Sequence, residues 1–225
     1  MTVALNDLAS GEIQIWHASL AQEAAQVTEF SLLLSADELQ RAARFIAKEH
    51  QRRFTVARGV LRTLLGRYLT CDPREIQFLY TEHGKPFLAD TNLRFNISHS
   101  DDMAVYAFTR ANDIGVDIER VEAIFKADVA KRFFSNNEYE ILTALFGEEQ
   151  QRGFYRVWAR KEALIKGIGE GLRIPLDSFS VNLDETQQLA FGKDQWFLQS
   201  FSVAKEYEAA FAVAQMPLKI SLRPF

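Results

Sequence analysis

Asp113-Ile114-Gly115-Val116-Asp117-Ile118-Glu119, near the middle of the 225-residue chain, alternates aliphatic with small or acidic residues. In a strand, successive side chains point to opposite faces, so Ile114, Val116 and Ile118 share one face and Gly115, Asp117 and Glu119 the other. Asp117 and Glu119 then project side by side, about 6–7 Å apart along the strand. Two carboxylates that close repel each other, and a hard divalent cation relieves the repulsion. Magnesium is the natural candidate, because it takes oxygen ligands and typically combines one or two carboxylates with substrate phosphates. The alternative is an edge strand whose acidic face is solvated.

Upstream, residues 11–18 alternate as a strand, with Ile13 and Ile15 on one face and Glu12 and Gln14 on the other. Ser35 and Glu38 have capping-box spacing and open a helix carrying Leu39, Ala42, Ala43 and Ile46. Ala57, Val60, Leu61, Leu64, Leu65 and Tyr68 keep a 3.6-residue period and predict a helix over about 50–69. Cys71-Asp72-Pro73 stops it, since proline cannot continue a helix. Short strands are expected at 76–80, 93–97 and 104–108. Downstream, 128–134, 136–146 and 154–168 read as helices, and 178–182, 196–203, 208–214 and 218–222 as strands. Strand, helices and strands on both sides of the midpoint suggest an α+β fold of two halves, 1–110 and 111–225, sharing a seam near residue 110.

Charge is uneven. Residues 1–40 hold six acidic and no basic side chains, whereas 41–74 hold nine basic against two acidic, a net of +7. That block suits a phosphorylated small molecule or a polyanion, or is simply the cationic face of a helix. A pI of 5.7 and the lack of a recognition motif argue against nucleic acid. No apolar run reaches the length of a membrane span, and the first basic residue is Arg41, so no positively charged leader is expected. The single cysteine, Cys71, excludes an internal disulfide and points to a reducing compartment, the cytoplasm by default.

A second constellation lies in 154–168. Phe154, Val157, Trp158, Leu164, Ile165 and Ile168 form one apolar arc, with Glu162 and Lys166 paired at its edge. Lys161 falls inside the arc, where a lone ammonium is costly. Gly167, Gly169 and Gly171 end the helix and permit close backbone approach. A third group is Gly84-Lys85-Pro86 with Asn96-Ile97-Ser98-His99-Ser100. A lysine in such a turn can serve phosphate as a point charge. A histidine between two serines can bind phosphate, act as a base, or satisfy local backbone.

In this order the motifs Gly84-Lys85-Pro86, Phe95 to Ser100, Ile114 to Glu119 and Trp158 to Lys166 resemble those of the 4′-phosphopantetheinyl transferases of the surfactin-synthetase-activating type. The similarity runs from about Ser35 to Ser180. It implies a monomer of two pseudo-twofold-related α+β halves with coenzyme A and magnesium in the cleft between them. It also implies transfer of phosphopantetheine to a serine of an apo acyl or peptidyl carrier protein, releasing adenosine 3′,5′-bisphosphate. By the same resemblance Asp117, Glu119 and Glu162 would ligate magnesium, with Glu162 also taking the serine proton, directly or through a metal-ordered water. Lys166 would stabilise charge on the transferred phosphate, supported by Lys161. Lys85, Ser98 and His99 match positions near the coenzyme phosphates, and Arg41 and Arg53 positions near its 3′-phosphate, with Arg58 added by its place on the helix. Two departures bear on that contact: Glu38 stands where some members carry lysine, and Phe54 where some carry a small hydroxyl residue.

Overall fold

The computed structural model describes residues 8–225, the side chain of Leu172 excepted. The first half runs β1 (Glu12–Ser19), α1 (Ala24–Ser31), α2 (Ala36–Ala43), α3 (Lys48–Leu69), β2 (Leu79–Tyr80), β3 (Pro86–Phe87), β4 (Leu93–Ser100) and β5 (Met103–Arg110). The second runs β6 (Ile114–Arg120), α4 (Ala127–Phe133), α5 (Asn136–Thr143), α6 (Gly147–Ile168), β7 (Thr186–Phe191), β8 (Asp194–Phe201), β9 (Tyr207–Val213) and β10 (Lys219–Pro224).

Two four-stranded sheets, in the orders β10-β1-β5-β4 and β6-β9-β8-β7, lie between two long helices. The alternation of apolar residues explains the layering. Trp16, Ala18, Phe95, Tyr106 and Phe108 turn one face of the first sheet onto Val60, Leu61, Leu64 and Leu65 of α3. Ile13, Ile15, Val105 and Ala107 turn the other face onto Ile114, Val116, Ile118 and Phe211 of the second sheet. The far face of that sheet, with Leu198, Ala210 and Ala212, packs on Val157, Leu164 and Ile165 of α6. The result is helix, sheet, sheet, helix.

The halves repeat one plan. Each opens with a strand, enters a capped short helix and then a 22-residue helix, and returns through a hairpin whose second strand pairs antiparallel with the first. The repeat extends to a buried ion pair. Capping-box Glu38 holds Arg62 of α3, which also donates to the carbonyls of Pro73 and Ile76. Capping-box Glu138 holds Lys161 of α6, which donates to the carbonyls of Leu176 and Phe179. Arg62 and Lys161 are each the fifteenth residue of their helix, so the cation of the long helix is anchored the same way twice.

Several expectations change. Residues 178–182 form no strand. Leu176–Ser178 is a 3-10 turn, and the stretch is pinned by Lys161 to two of its carbonyls and by Glu138 to the Val181 N–H. Residues 76–80 shrink to the two-residue β2, and the helix expected over 136–146 stops at Thr143. The helix of 154–168 begins at Gly147, about two turns earlier than its apolar period suggested. The terminal strand β10 returns to the first half's sheet and pairs parallel with β1.

Candidate active site at the seam

β6 is an edge strand, yet its acidic face is covered, with Asp117 buried and Glu119 half-buried. Gly115 explains why. A Cβ at that position would lie 2.0 Å from the Ala163 carbonyl and 2.3 Å from the Gly167 nitrogen, so only glycine lets α6 approach. Asp117 and Glu119 follow on the same face and are carried against Glu162 and Lys166 of α6. On the corresponding face of β1, Gln14, Trp16 and Ala18 look toward α3 and the one carboxylate, Glu12, is paired with Lys219, so the carboxylate cluster belongs to the second half alone.

The free edge of β6 is stitched to β4 by alternate side chains. Asn96 Oδ1 accepts from the Val116 N–H at 2.9 Å. Ser98 donates to Asp117 Oδ1 at 2.7 Å. Ser100 donates to Glu119 Oε2 at 3.1 Å and accepts from the Arg120 N–H at 3.1 Å. Sequence reading found Ser98 through the resemblance but missed Asn96 and Ser100. Their spacing of two, on the face opposite Phe95, was the available signal.

Asp117 is buried at 2% exposure, and Lys166 Nζ donates to its Oδ1 at 2.5 Å and to Ser98 Oγ at 3.0 Å. Its Oδ2 is buried with no hydrogen-bond partner. Burial and the neighbouring Asp117 charge push Glu119 up to about 7, against the opposing Ser100 and Lys166 contacts. Burial also raises Glu162; Lys166 opposes that shift and Asp117 adds to it. Lys166 is pulled down by desolvation, but Asp117, Glu162 and Glu119 outweigh this and raise it. Three carboxyl groups thus face one ammonium, with an orphaned oxygen among them. Their side chains do not converge as a ready metal cage, and among the described residues no group of three His, Cys, Asp or Glu does. Lys166 is the cation among them, on Asp117 Oδ1 and Ser98 Oγ.

Other predicted residues divide into those at the cleft and those elsewhere. His99 is exposed at its surface, yet desolvation by the protein around it, then Lys166 and Arg53, lowers its pKa. Arg53 stands beside it, paired with Glu49 at 2.7 Å and Asp102 at 2.9 Å. Arg41 is exposed, with its guanidinium 5.4 Å from the Phe54 ring centroid.

Two residues are corrected. Arg58 is buried, bonded to Glu38 Oε1 at 2.5 Å and set over the Phe78 ring, so its guanidinium serves packing in the first half. Lys161 is fully buried on Glu138 and two carbonyls, which removes both the lone-ammonium cost and any reach into the cleft. The +7 block is likewise quieter than its count. Arg52, Arg53, Arg58, Arg62 and Arg74 are all in ion pairs. Lys85, expected at a phosphate, directs its ammonium to the carbonyls of Ile114, Lys166 and Gly167, and burial lowers it to about 8.

Cavities flank the carboxylates on two sides. One of about 290 Å³ is lined by Gly84, Pro86, Asn96, Glu162 and Lys166. The other, about 690 Å³, is lined by Ser100, Glu119, Lys126, Val129, Tyr155 and Trp158. A phosphate with two substituents could therefore straddle the cluster. No helix among the described residues is long and apolar enough to cross a membrane.

Comparison with known proteins gives a consistent result. Residues 16–110 match the model for the N-terminal part of 4′-phosphopantetheinyl transferases, and residues 113–214 the model for the 4′-phosphopantetheinyl transferase superfamily. The 4′-phosphopantetheinyl transferase HetI of Nostoc sp. (strain PCC 7120) is 40% identical over 185 residues, covering 80% of this chain and 78% of that protein. A 4′-phosphopantetheinyl transferase of Bacillus subtilis is 37% identical over 80% of this chain and 82% of its own length. The 4′-phosphopantetheinyl transferase Sfp of Bacillus subtilis (strain 168) is 35% identical over 82% of this chain and 84% of its own.

Proposed function

This chain belongs to the 4′-phosphopantetheinyl transferase superfamily, and from that premise we propose how its seam performs the transfer. It is an enzyme that moves the 4′-phosphopantetheine arm of coenzyme A onto a serine hydroxyl of a carrier protein. The observation that carries the residue assignment is the Asp117–Glu119–Glu162 cluster with Lys166 in its midst.

Coenzyme A lies with its nucleotide toward the Gly84-Lys85-Pro86 turn, and its phosphates face Lys166, Ser98 and His99. Arg53 and Arg41 extend the cationic border toward the 3′-phosphate. The carrier serine enters from the larger cavity, beside Val129 and Trp158. Glu162, whose burial raises its proton affinity, accepts the serine proton as the oxygen attacks the phosphorus. The bond from that phosphorus to the bridging oxygen breaks, and adenosine 3′,5′-bisphosphate leaves. Lys166 lies against the non-bridging oxygens and stabilises their growing charge. Phosphoryl transfer depends mostly on positioning and electrostatics, and these groups supply the protein's share of both.

Magnesium fits this donor set. The orphaned Asp117 Oδ2, the raised Glu119 and Glu162, and an all-oxygen chemistry are what a hard dication relieves. Asp117, Glu119 and Glu162 would hold it with phosphate oxygens, and when bound it supplies Lewis-acid stabilisation of the charge on the departing adenosine 3′,5′-bisphosphate. Magnesium keeps waters and takes substrate phosphate oxygens, so the protein need not supply a closed cage. A cleft within one chain supports a monomer as the working unit, and coenzyme A as substrate supports the cytoplasm as its compartment.

Intact-mass analysis of an apo carrier protein incubated with the enzyme, coenzyme A and magnesium tests this reading. The expected result is one phosphopantetheinyl adduct on the serine, absent with EDTA. An adduct that persists undiminished in EDTA would overturn the metal assignment, and no adduct on any carrier would overturn the whole reading.

A further inference from the structure

Lys85 lies in the tight turn between β2 and β3. Its N–H donates to Thr81 Oγ1 at 3.1 Å, and the Thr81 N–H donates to its carbonyl at 3.0 Å. From this turn in the first half its ammonium reaches into the second. It donates to the carbonyls of Lys166 at 2.6 Å, Gly167 at 3.2 Å and Ile114 at 3.2 Å. An ammonium has three N–H donors, and here all three have backbone acceptors, leaving none for a phosphate.

The acceptors are informative. α6 closes with the Gly169 N–H on the Ile165 carbonyl, and the carbonyls of Lys166 and Gly167 belong to the final turn, where intrahelical donors run out. A cation there satisfies orphan acceptors and faces the negative end of the helix dipole. Ile114 opens β6, three residues before Asp117. Lys166 is therefore held at both ends, by Asp117 and Ser98 at Nζ and by Lys85 at its carbonyl.

We infer that Lys85 is a positioning residue for phosphopantetheine transfer, clamping the end of α6 to the start of β6 so that Lys166 and Asp117 stay in register. This rests on the proposed reading of the seam cluster. The Gly84-Lys85-Pro86 turn still borders the coenzyme cavity, but its side chain looks inward.

Lys85→Met removes the ammonium and keeps the stem. The clamp predicts a kcat lowered about 10- to 100-fold, the range of a small misplacement of reacting groups, with the KM for coenzyme A unchanged within about twofold. Lys85→Arg should recover part of the loss. Hydrogen–deuterium exchange should quicken in the peptides covering 114–117 and 165–169 of the Met variant. A raised KM at unchanged kcat would make Lys85 a coenzyme contact and overturn the inference, as would unchanged kinetics or unchanged exchange. If Lys85→Met does not fold, Thr81→Ala loosens the same turn and carries both measurements with the same expected signs. The exchange result needs no turnover, so an inert wild-type enzyme would sink the transfer reading while the clamp was still judged on its own.

Discussion

At the scale of single residues, the cluster sets three carboxyl groups, Asp117, Glu119 and Glu162, around the single ammonium of Lys166. Glu119 illustrates the sign. Its folded pKa is raised above the ordinary carboxylate value, to about 7, so the folded protein holds a proton that the unfolded chain releases. Its contribution to stability is therefore greatest at low pH and is lost as the pH rises toward 7 and beyond. Without divalent cation, the melting temperature of the wild type relative to Glu119→Gln should fall between pH 5 and pH 7.5. Added magnesium should raise the wild-type melting temperature more at pH 7.5 than at pH 5, and the variant's much less at both. A pH-independent difference, or equal magnesium shifts in both proteins, would show that Glu119 does not share the cation's charge. The carboxylates themselves were legible in the alternation of Ile114 to Glu119. The partners Ser100 and Asn96 were legible only as a polar face of β4, because their spacing of two does not say which strand lies beside them. Arg58 and Lys161 were misassigned for a related reason: each cation is neutralised by a glutamate, Glu38 or Glu138, that is 20 or more residues away in sequence.

Among the elements, two contacts set the site. The first is β6 on α6 at Gly115. Gly115→Ala places a methyl within 2.0 Å of a backbone carbonyl, which no side-chain rotation relieves. Overpacking typically costs about 1–3 kcal/mol, and because both neighbours here are backbone the upper end is expected. Urea unfolding should register that loss, and transfer should fall with it as Asp117 moves off Lys166. Wild-type activity in Gly115→Ala would mean that the close approach is not needed. The second contact is the Lys161 anchor. Removing one partner of a buried pair costs about 3–5 kcal/mol, so Lys161→Met should be strongly destabilised and Lys161→Met with Glu138→Gln less so. A stable Lys161→Met with a raised KM for coenzyme A would restore Lys161 to the cleft. Helix α3 was readable because its apolar period is unbroken from Ala57 to Tyr68. The first turns of α6 were not, because Gly147 and Gly153 read as breakers; in the fold Gly153 lets Leu142 and Leu145 pack against the helix. Strand β7, with alternately exposed polar residues, carried too little apolar contrast to be seen.

For the whole molecule, the two halves are one cooperative object on physical grounds. Each sheet spends one face on its own helix and the other on its partner sheet, so separation would bare Ile13, Ile15, Val105 and Ala107 against Ile114, Val116, Ile118 and Phe211. We propose the division 1–110 and 111–225 as a structural repeat rather than as two independent folding units. The crossover of β10 onto β1 ties them further. Equilibrium urea unfolding followed by tryptophan fluorescence and by far-ultraviolet circular dichroism should give one coincident transition. Single-tryptophan variants keeping Trp16 or Trp196 report the two halves separately, and midpoints that differ between them would contradict a shared core. The repeat itself was only half visible in the sequence: strand, helices and strands recur, but the matching buried pairs Glu38–Arg62 and Glu138–Lys161 become a pattern only when folded. The most direct measurement is intact-mass quantification of carrier modification by Asp117→Asn and Glu162→Gln, each first shown to melt within a few degrees of wild type. A folded pair of variants whose transfer rates fall by about 100-fold or more is the predicted result. Near-wild-type transfer by both would contradict the assignment of the chemistry to the seam between β6 and α6.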